Sequence, residues 1–129
     1  MPRLSRWLAR TALLYLVAAL SVGAALVVRP RAPWLGGAWP VYLHLLTVGW
    51  ITQLIAAVAY WMFPRPDPRA PASDRGGWVF YVLLNTGLLL RAYAEPLPGA
   101  RAILPFAAML QLAAILVFVA GIWPRIRGR

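Results

Sequence analysis

The run VYLHLLTVGWITQLIAAVAYWMF, residues 41–63, decides the fold of this 129-residue chain. No Asp, Glu, Lys or Arg interrupts it. Its length meets the roughly 20 apolar residues that a helix needs to cross a bilayer. Working outward, three further apolar runs cover residues 8–28, 78–93 and 102–123. The third run along the chain is the shortest. The sequence therefore predicts an all-α, integral-membrane four-helix bundle, a single transmembrane domain over residues 1–129. Composition agrees: 62% of residues are hydrophobic and mean hydropathy is +0.69, above the range of soluble globular domains.

Proline and glycine punctuate the connections. Residues 29–40 make a short turn, residues 64–77 (PRPDPRAPASDRGG) the longest and most polar link, and residues 94–101 a brief turn. The first run follows a basic start (Arg3, Arg6, Arg10), as a signal peptide would, but it exceeds the usual apolar stretch of about 7–15 residues and reads as a retained span.

All 13 basic residues are arginines, giving a formal charge of +10. They flank the runs and leave no basic face, so nucleic acid is not an expected partner; the bilayer is. Nine of them (3, 6, 10, 65, 69, 75, 125, 127, 129) fall on one side and four (29, 31, 91, 101) on the other. The positive-inside rule then places both termini and the long loop in the cytoplasm of a cytoplasmic-membrane, multi-pass protein. Trp34, Trp39, Trp78, Trp123 and Tyr93 fall at run ends, as an interfacial aromatic belt does.

Within the runs, residues three, four and seven apart share a helix face. Residues Ala18, Ser21 and Ala25 form a small-residue stripe, and the second run has two faces. One carries His44, Thr47, Val48 and Ile51, the other Gly49, Gln53, Ala56 and Tyr60. Asn85 and Gln111 read as hydrogen-bonding glue between helices.

Chemistry has few places to reside. The absence of cysteine excludes disulfides, iron–sulfur clusters and thiolate metal sites. The three acids (Asp67, Asp74, Glu95) lie in loops, which argues against a carboxylate proton relay, and no Ser–His–Asp arrangement is present. The single histidine, His44, remains. An imidazole inside an apolar run is a functional candidate by default. One reading is axial ligation of haem or of a metal ion such as copper; the other is a hydrogen bond to a neighbouring helix. One histidine per chain supplies one ligand, so a multi-histidine site implies an oligomer.

The stretches His44-Leu45-Leu46-Thr47-Val48-Gly49-Trp50 and Ala59-Tyr60-Trp61-Met62-Phe63-Pro64-Arg65, with Asn85-Thr86-Gly87-Leu88-Leu89-Leu90-Arg91 and Ala94-Glu95-Pro96, carry a resemblance. They look like small four-span membrane proteins related to subunit I of the haem–copper oxidases, in the cbb3 and nitric-oxide-reductase branch. Those proteins read His-x-His-Leu-x-x-x-Gly-Trp in the second helix. His44, Gly49 and Trp50 match, while Tyr42 stands where the first histidine would be. The resemblance implies a single four-helix arc of a fold that contains three, and hence a homo-oligomer, with a trimer favoured over a dimer. It also implies a haem b ligand at His44, with Tyr42, Gly49 and Trp50 beside it. Arg91 and Arg101 would lie near the haem propionates, whereas the local alternative for Arg91 is an ion pair with Glu95 four residues on.

A respiratory oxidase needs about six histidines of distinct kinds. Oxygen or nitric oxide reduction by this chain alone is not expected, so the balance leans away from an enzyme. The functions left are haem b storage, electron transfer, and redox or gas sensing. The rivals are copper handling through symmetry-related His44 side chains, and a cofactor-free structural or assembly subunit.

Overall fold

A computed structural model describes residues 1–29, 33, 36–63 and 74–126. Trp34 and Arg31 in the first loop, Arg65, Asp67 and Arg69 in the second, and Arg127 and Arg129 in the tail lie outside the described residues. The described secondary structure is helical, with no strand among the described residues. We number four long helices: α1 (Arg3–Val28), α2 (Ala38–Met62), α3 (Arg75–Ala94) and α4 (Leu104–Ile126). A 3-10 turn, Pro98–Ile103, leads into α4.

Three helical stretches, Arg3–Val28, Ala38–Met62 and Pro98–Ile126, are long and apolar enough to cross a membrane. The fourth helix, α3, which the sequence reading also counts as a span, is not among these three. Helix α3 has 20 residues, but Asn85, Arg91 and its glycines and tyrosines dilute its hydropathy. Helix α1 also starts earlier than the apolar run, because Leu4 and Ser5 are already buried in the bundle.

Sequential helices run in opposite directions, and two hairpins result. Helix α1 lies along α2, and α3 along α4. Glycines let backbones approach: a Cβ on Gly49 would meet the Tyr15 ring and Leu88, and one on Gly87 would come within 2.9 Å of the Ala107 carbonyl oxygen. Two apolar clusters form. One, around Leu8, Tyr60, Phe80 and Leu84, lies toward the end holding Arg3; the other, around Tyr15, Val41, Leu45 and Leu88, lies toward the end holding His44.

Between them a polar layer joins the hairpins. The Tyr15 hydroxyl donates to Asn85 Oδ1 at 2.8 Å, and Gln53 Nε2 donates to the same oxygen at 3.2 Å. Asn85 Nδ2 returns a bond to Gln53 Oε1 at 3.3 Å and donates to the Tyr81 carbonyl at 2.7 Å. Pairing of this kind is what makes polar side chains tolerable in an apolar interior. Gln111 does not join it. Its side chain packs on Gly87, and its buried Nε2 has no hydrogen-bond partner, so the expectation of glue there is corrected.

Helix α2 is not α-helical throughout. Residues Leu45–Thr52 form a π-helical turn, in which Thr52 Oγ1 donates to the carbonyl five residues back, at Thr47 (3.0 Å). The wider turn offsets the drift that an α-helix imposes on positions four apart. Val41, Leu45, Gly49, Gln53 and Ala57 thereby all stay buried. The two faces foreseen for this helix therefore fare differently. Gly49, Gln53, Ala56 and Tyr60 are all buried, while Thr47 and Ile51 are exposed and no longer share His44's surroundings.

Candidate functional site

His44 ends the regular first part of α2 and stands at the start of the π turn. Pro40, in the helix's first turn, lacks an N–H where none is needed, and its carbonyl lies beneath the imidazole. His44 Nδ1 is 2.8 Å from that oxygen. A carbonyl only accepts, so the proton of the neutral ring sits on Nδ1. The lone pair is then on Nε2, and there Arg91 Nη1 approaches to 2.7 Å as donor. Both contacts fix one tautomer and one ring orientation.

Arg91 lies in the last turn of α3, where a cation complements the helix dipole. Its Nε is 3.4 Å from Glu95 Oε1, close enough for an ion pair but without hydrogen-bond alignment, so Nε is buried and unpaired in that sense. The two side chains are only 19% and 15% exposed, so this pair is better shielded from water than most surface pairs. The result is a half-buried chain of imidazole, guanidinium and carboxylate that ties α2 to the end of α3.

Backbone packing locks the same corner. Gly37, at the N-cap of α2, has φ +77°, the left-handed region that glycine enters freely. A Cβ there would collide with the Glu95 carbonyl. The chain therefore turns into α2 directly against the end of α3, which sets the height of His44 relative to Arg91.

The other residues implied by the resemblance do not gather at the imidazole. Tyr42 packs on Gly23 of α1, with its ring centre 5.6 Å from that of Trp39. Gly49 is buried between Tyr15 and Leu88, Trp50 is half-buried, and Arg101 is exposed on the 3-10 turn. An open apolar groove of about 660 Å³ lies at this end of the molecule, lined by Leu20, Val27, Trp39 and Tyr42 among others. It belongs to the Tyr42 side of α2, and His44 is not part of its lining.

No local feature of the sequence marks the Pro40 carbonyl contact, and Tyr15 looks like one more residue of an apolar run. The partnership of His44 with Arg91 joins two residues that the sequence had placed at the same end for a different reason.

A neutral imidazole held through Nδ1–H is the form of histidine that can ligate a metal through Nε2. Histidines that bind metals commonly hand their second N–H to a backbone carbonyl, as His44 does. The coordinating direction, however, is capped by Arg91. Among the described residues no three His, Asp or Glu side chains come together as a metal site, so an ion held by His44 would draw its other ligands from elsewhere. No family model, curated protein or solved structure matches this chain.

Proposed function

We propose that the chain is a multi-pass protein of the cytoplasmic membrane that binds haem b through His44, and that it works as a homo-oligomer in electron transfer or in redox or gas sensing. The observation that carries this reading is the 2.8 Å contact between His44 Nδ1 and the Pro40 carbonyl, which leaves Nε2 as the ring nitrogen that can act as a ligand once Arg91 moves aside. Arg91 is the cation beside that nitrogen, suited to pairing with a haem carboxylate. When bound, the haem would supply one-electron chemistry; the chain's own part is to hold the imidazole, shield it and place a positive charge beside it. The arginine asymmetry supports cytoplasmic termini, with His44 near the outer surface. The trimer is the form in which three arcs make up a complete ring, and a dimer is the alternative.

The test is the visible spectrum of protein purified from haem-replete cells. A Soret band with sharp α and β bands on reduction, lost in His44→Ala, is the expected result. A colourless protein holding stoichiometric copper moves the assignment to an ion site built from several His44 copies. Colourless, metal-free protein overturns both ligand readings.

One observation favours a second reading. Because both ring nitrogens have partners, His44 also serves as a clasp between the hairpins. In a cofactor-free scaffold or assembly subunit that would be its whole role. His44→Ala would then loosen the bundle with no spectral consequence.

A further inference from the structure

We infer that Arg91 is an internal competitor for the His44 lone pair, and that it makes the imidazole selective against bare divalent cations. This rests on the proposal that His44 is a ligand nitrogen, and it adds what that nitrogen refuses.

The argument starts from geometry. Neutral imidazole is a good ligand for copper and zinc, and a half-buried one in an apolar bundle would ordinarily be open to either. Here the Nε2 lone pair is 2.7 Å from Arg91 Nη1. A metal ion needs the same lone pair along the same direction, so it must evict the guanidinium. Three costs then fall on a bare cation. It breaks a charge-assisted hydrogen bond between α2 and α3. It leaves a dication beside an arginine that cannot be deprotonated. It also gains no carboxylate in exchange, because Glu95 is already committed to Arg91.

A metal centre that brings its own anionic groups meets a different balance. The displaced guanidinium finds a new partner on the ligand, and the local charge stays near neutral. By this balance Arg91 penalises a hydrated dication more than a metal centre that carries its own anionic groups. The Gly37–Glu95 contact supports this by fixing where Glu95, and hence Arg91, stands.

The same contact predicts a mechanical consequence. Eviction of Arg91 removes the side-chain tie between α2 and α3 at this end, while the Tyr15–Asn85–Gln53 layer stays intact. The hairpins stay joined at mid-height, and any loosening is confined to the His44 end.

The experiment is a copper(II) titration of the full chain in detergent, with nitrogen hyperfine splitting as the readout and His44→Ala in each background as the control. Arg91→Leu is expected to tighten His44-dependent copper binding by about ten- to hundredfold over wild type, the effect of removing one charge-assisted hydrogen bond. Equal copper affinity in wild type and Arg91→Leu overturns the proposal. Should Arg91→Leu fail to fold, the nitrogen-15 resonances of the single histidine carry the test in wild type and the neutral variant Arg91→Gln. Wild type is expected to show protonated Nδ1 with a hydrogen-bonded Nε2, both untouched by copper levels that broaden the Arg91→Gln signals. An unbonded Nε2 in wild type, or equal broadening in the two proteins, overturns it. A chain that never takes up haem but gains copper on Arg91→Leu sinks the haem reading and leaves this one standing; a haem-binding wild type that takes copper as readily as the variant does the reverse.

Discussion

At one end of the bundle Arg91 donates to a ring nitrogen of His44 at 2.7 Å; at the other, Arg125 lies 5.2 Å above the centre of the Tyr60 ring. Each arginine also has a carboxylate at an end of α3: Glu95 at 3.4 Å for Arg91, and Asp74 at 3.9 Å for Arg125. The parts are alike, a ring from α2, an arginine from a neighbouring helix and one acid, but the physics differs. Asp74 sits at the N-terminus of α3, where a negative charge is favourable with or without a cation. Glu95 sits at the C-terminus, where it is unfavourable unless Arg91 is present. Tyr60 offers Arg125 only its π face, and packs edge-on to Phe118 and tilted to Phe80. His44 offers Arg91 a lone pair. One end is therefore a packing joint with charges round it, and the other is an imidazole lone pair capped by a guanidinium.

Substitutions that strike one end and spare the other test this contrast. The largest effect is expected at the packing joint. Tyr60 is 6% exposed and central to the aromatic cluster, so Tyr60→Ala should cost about 3–5 kcal/mol in detergent unfolding. The histidine nitrogen resonances should be unchanged; a shift in them would mean that the two ends are not independent. Next comes Gly37→Ala, at about 1–3 kcal/mol, from the positive φ and the collision with the Glu95 carbonyl. Here the expected pattern reverses. Stability falls less than for Tyr60→Ala, yet the Nε2 resonance moves, because the corner that sets His44 against Arg91 is displaced.

The contrast also explains what was legible in the sequence. Apolar runs reveal where a helix is hydrophobic, and they located all four helices. They do not mark the ends: Ala38 begins α2 before the run at Val41, with Pro40 in its first turn, and Arg75 begins α3 before Trp78, running through Gly76 and Gly77. The π turn was not legible either. It depends on keeping Gly49 and Gln53 on one buried side, which is a property of the packed bundle rather than of local residue types. His44 stood out because it is the only histidine in an apolar run, and Arg91 because it closes one. The pairing between them is a tertiary fact that depends on the Gly37 turn.

At mid-height, Asn85→Leu should cost about 1–2 kcal/mol, the range for hydrogen bonds between membrane helices, since Tyr15 and Gln53 both lose their shared partner. It sharpens the comparison by asking whether the two ends communicate through the polar layer. If they are separate joints, the variant lowers the unfolding midpoint without changing either the histidine resonances or the fluorescence of Trp78, whose ring lies 5.8 Å from that of Tyr81 near the opposite end.

The smallest effect is expected for Arg125→Gln. A cation over an aromatic face and an ion pair at 3.9 Å are each worth about 1 kcal/mol or less, and Asp74 keeps its favourable place at the start of α3 without them. The unfolding midpoint should fall by less than for any variant above. Arg91→Gln, matched in chemistry, should differ in kind: Glu95 is left at the wrong end of a helix dipole and His44 loses its charged donor. Equal losses for the two arginines, with unchanged histidine resonances in both, would reduce the His44 corner to a second packing joint. A loss at Arg91 that exceeds the loss at Arg125 and carries the Nε2 signal with it keeps the distinction between joint and cap.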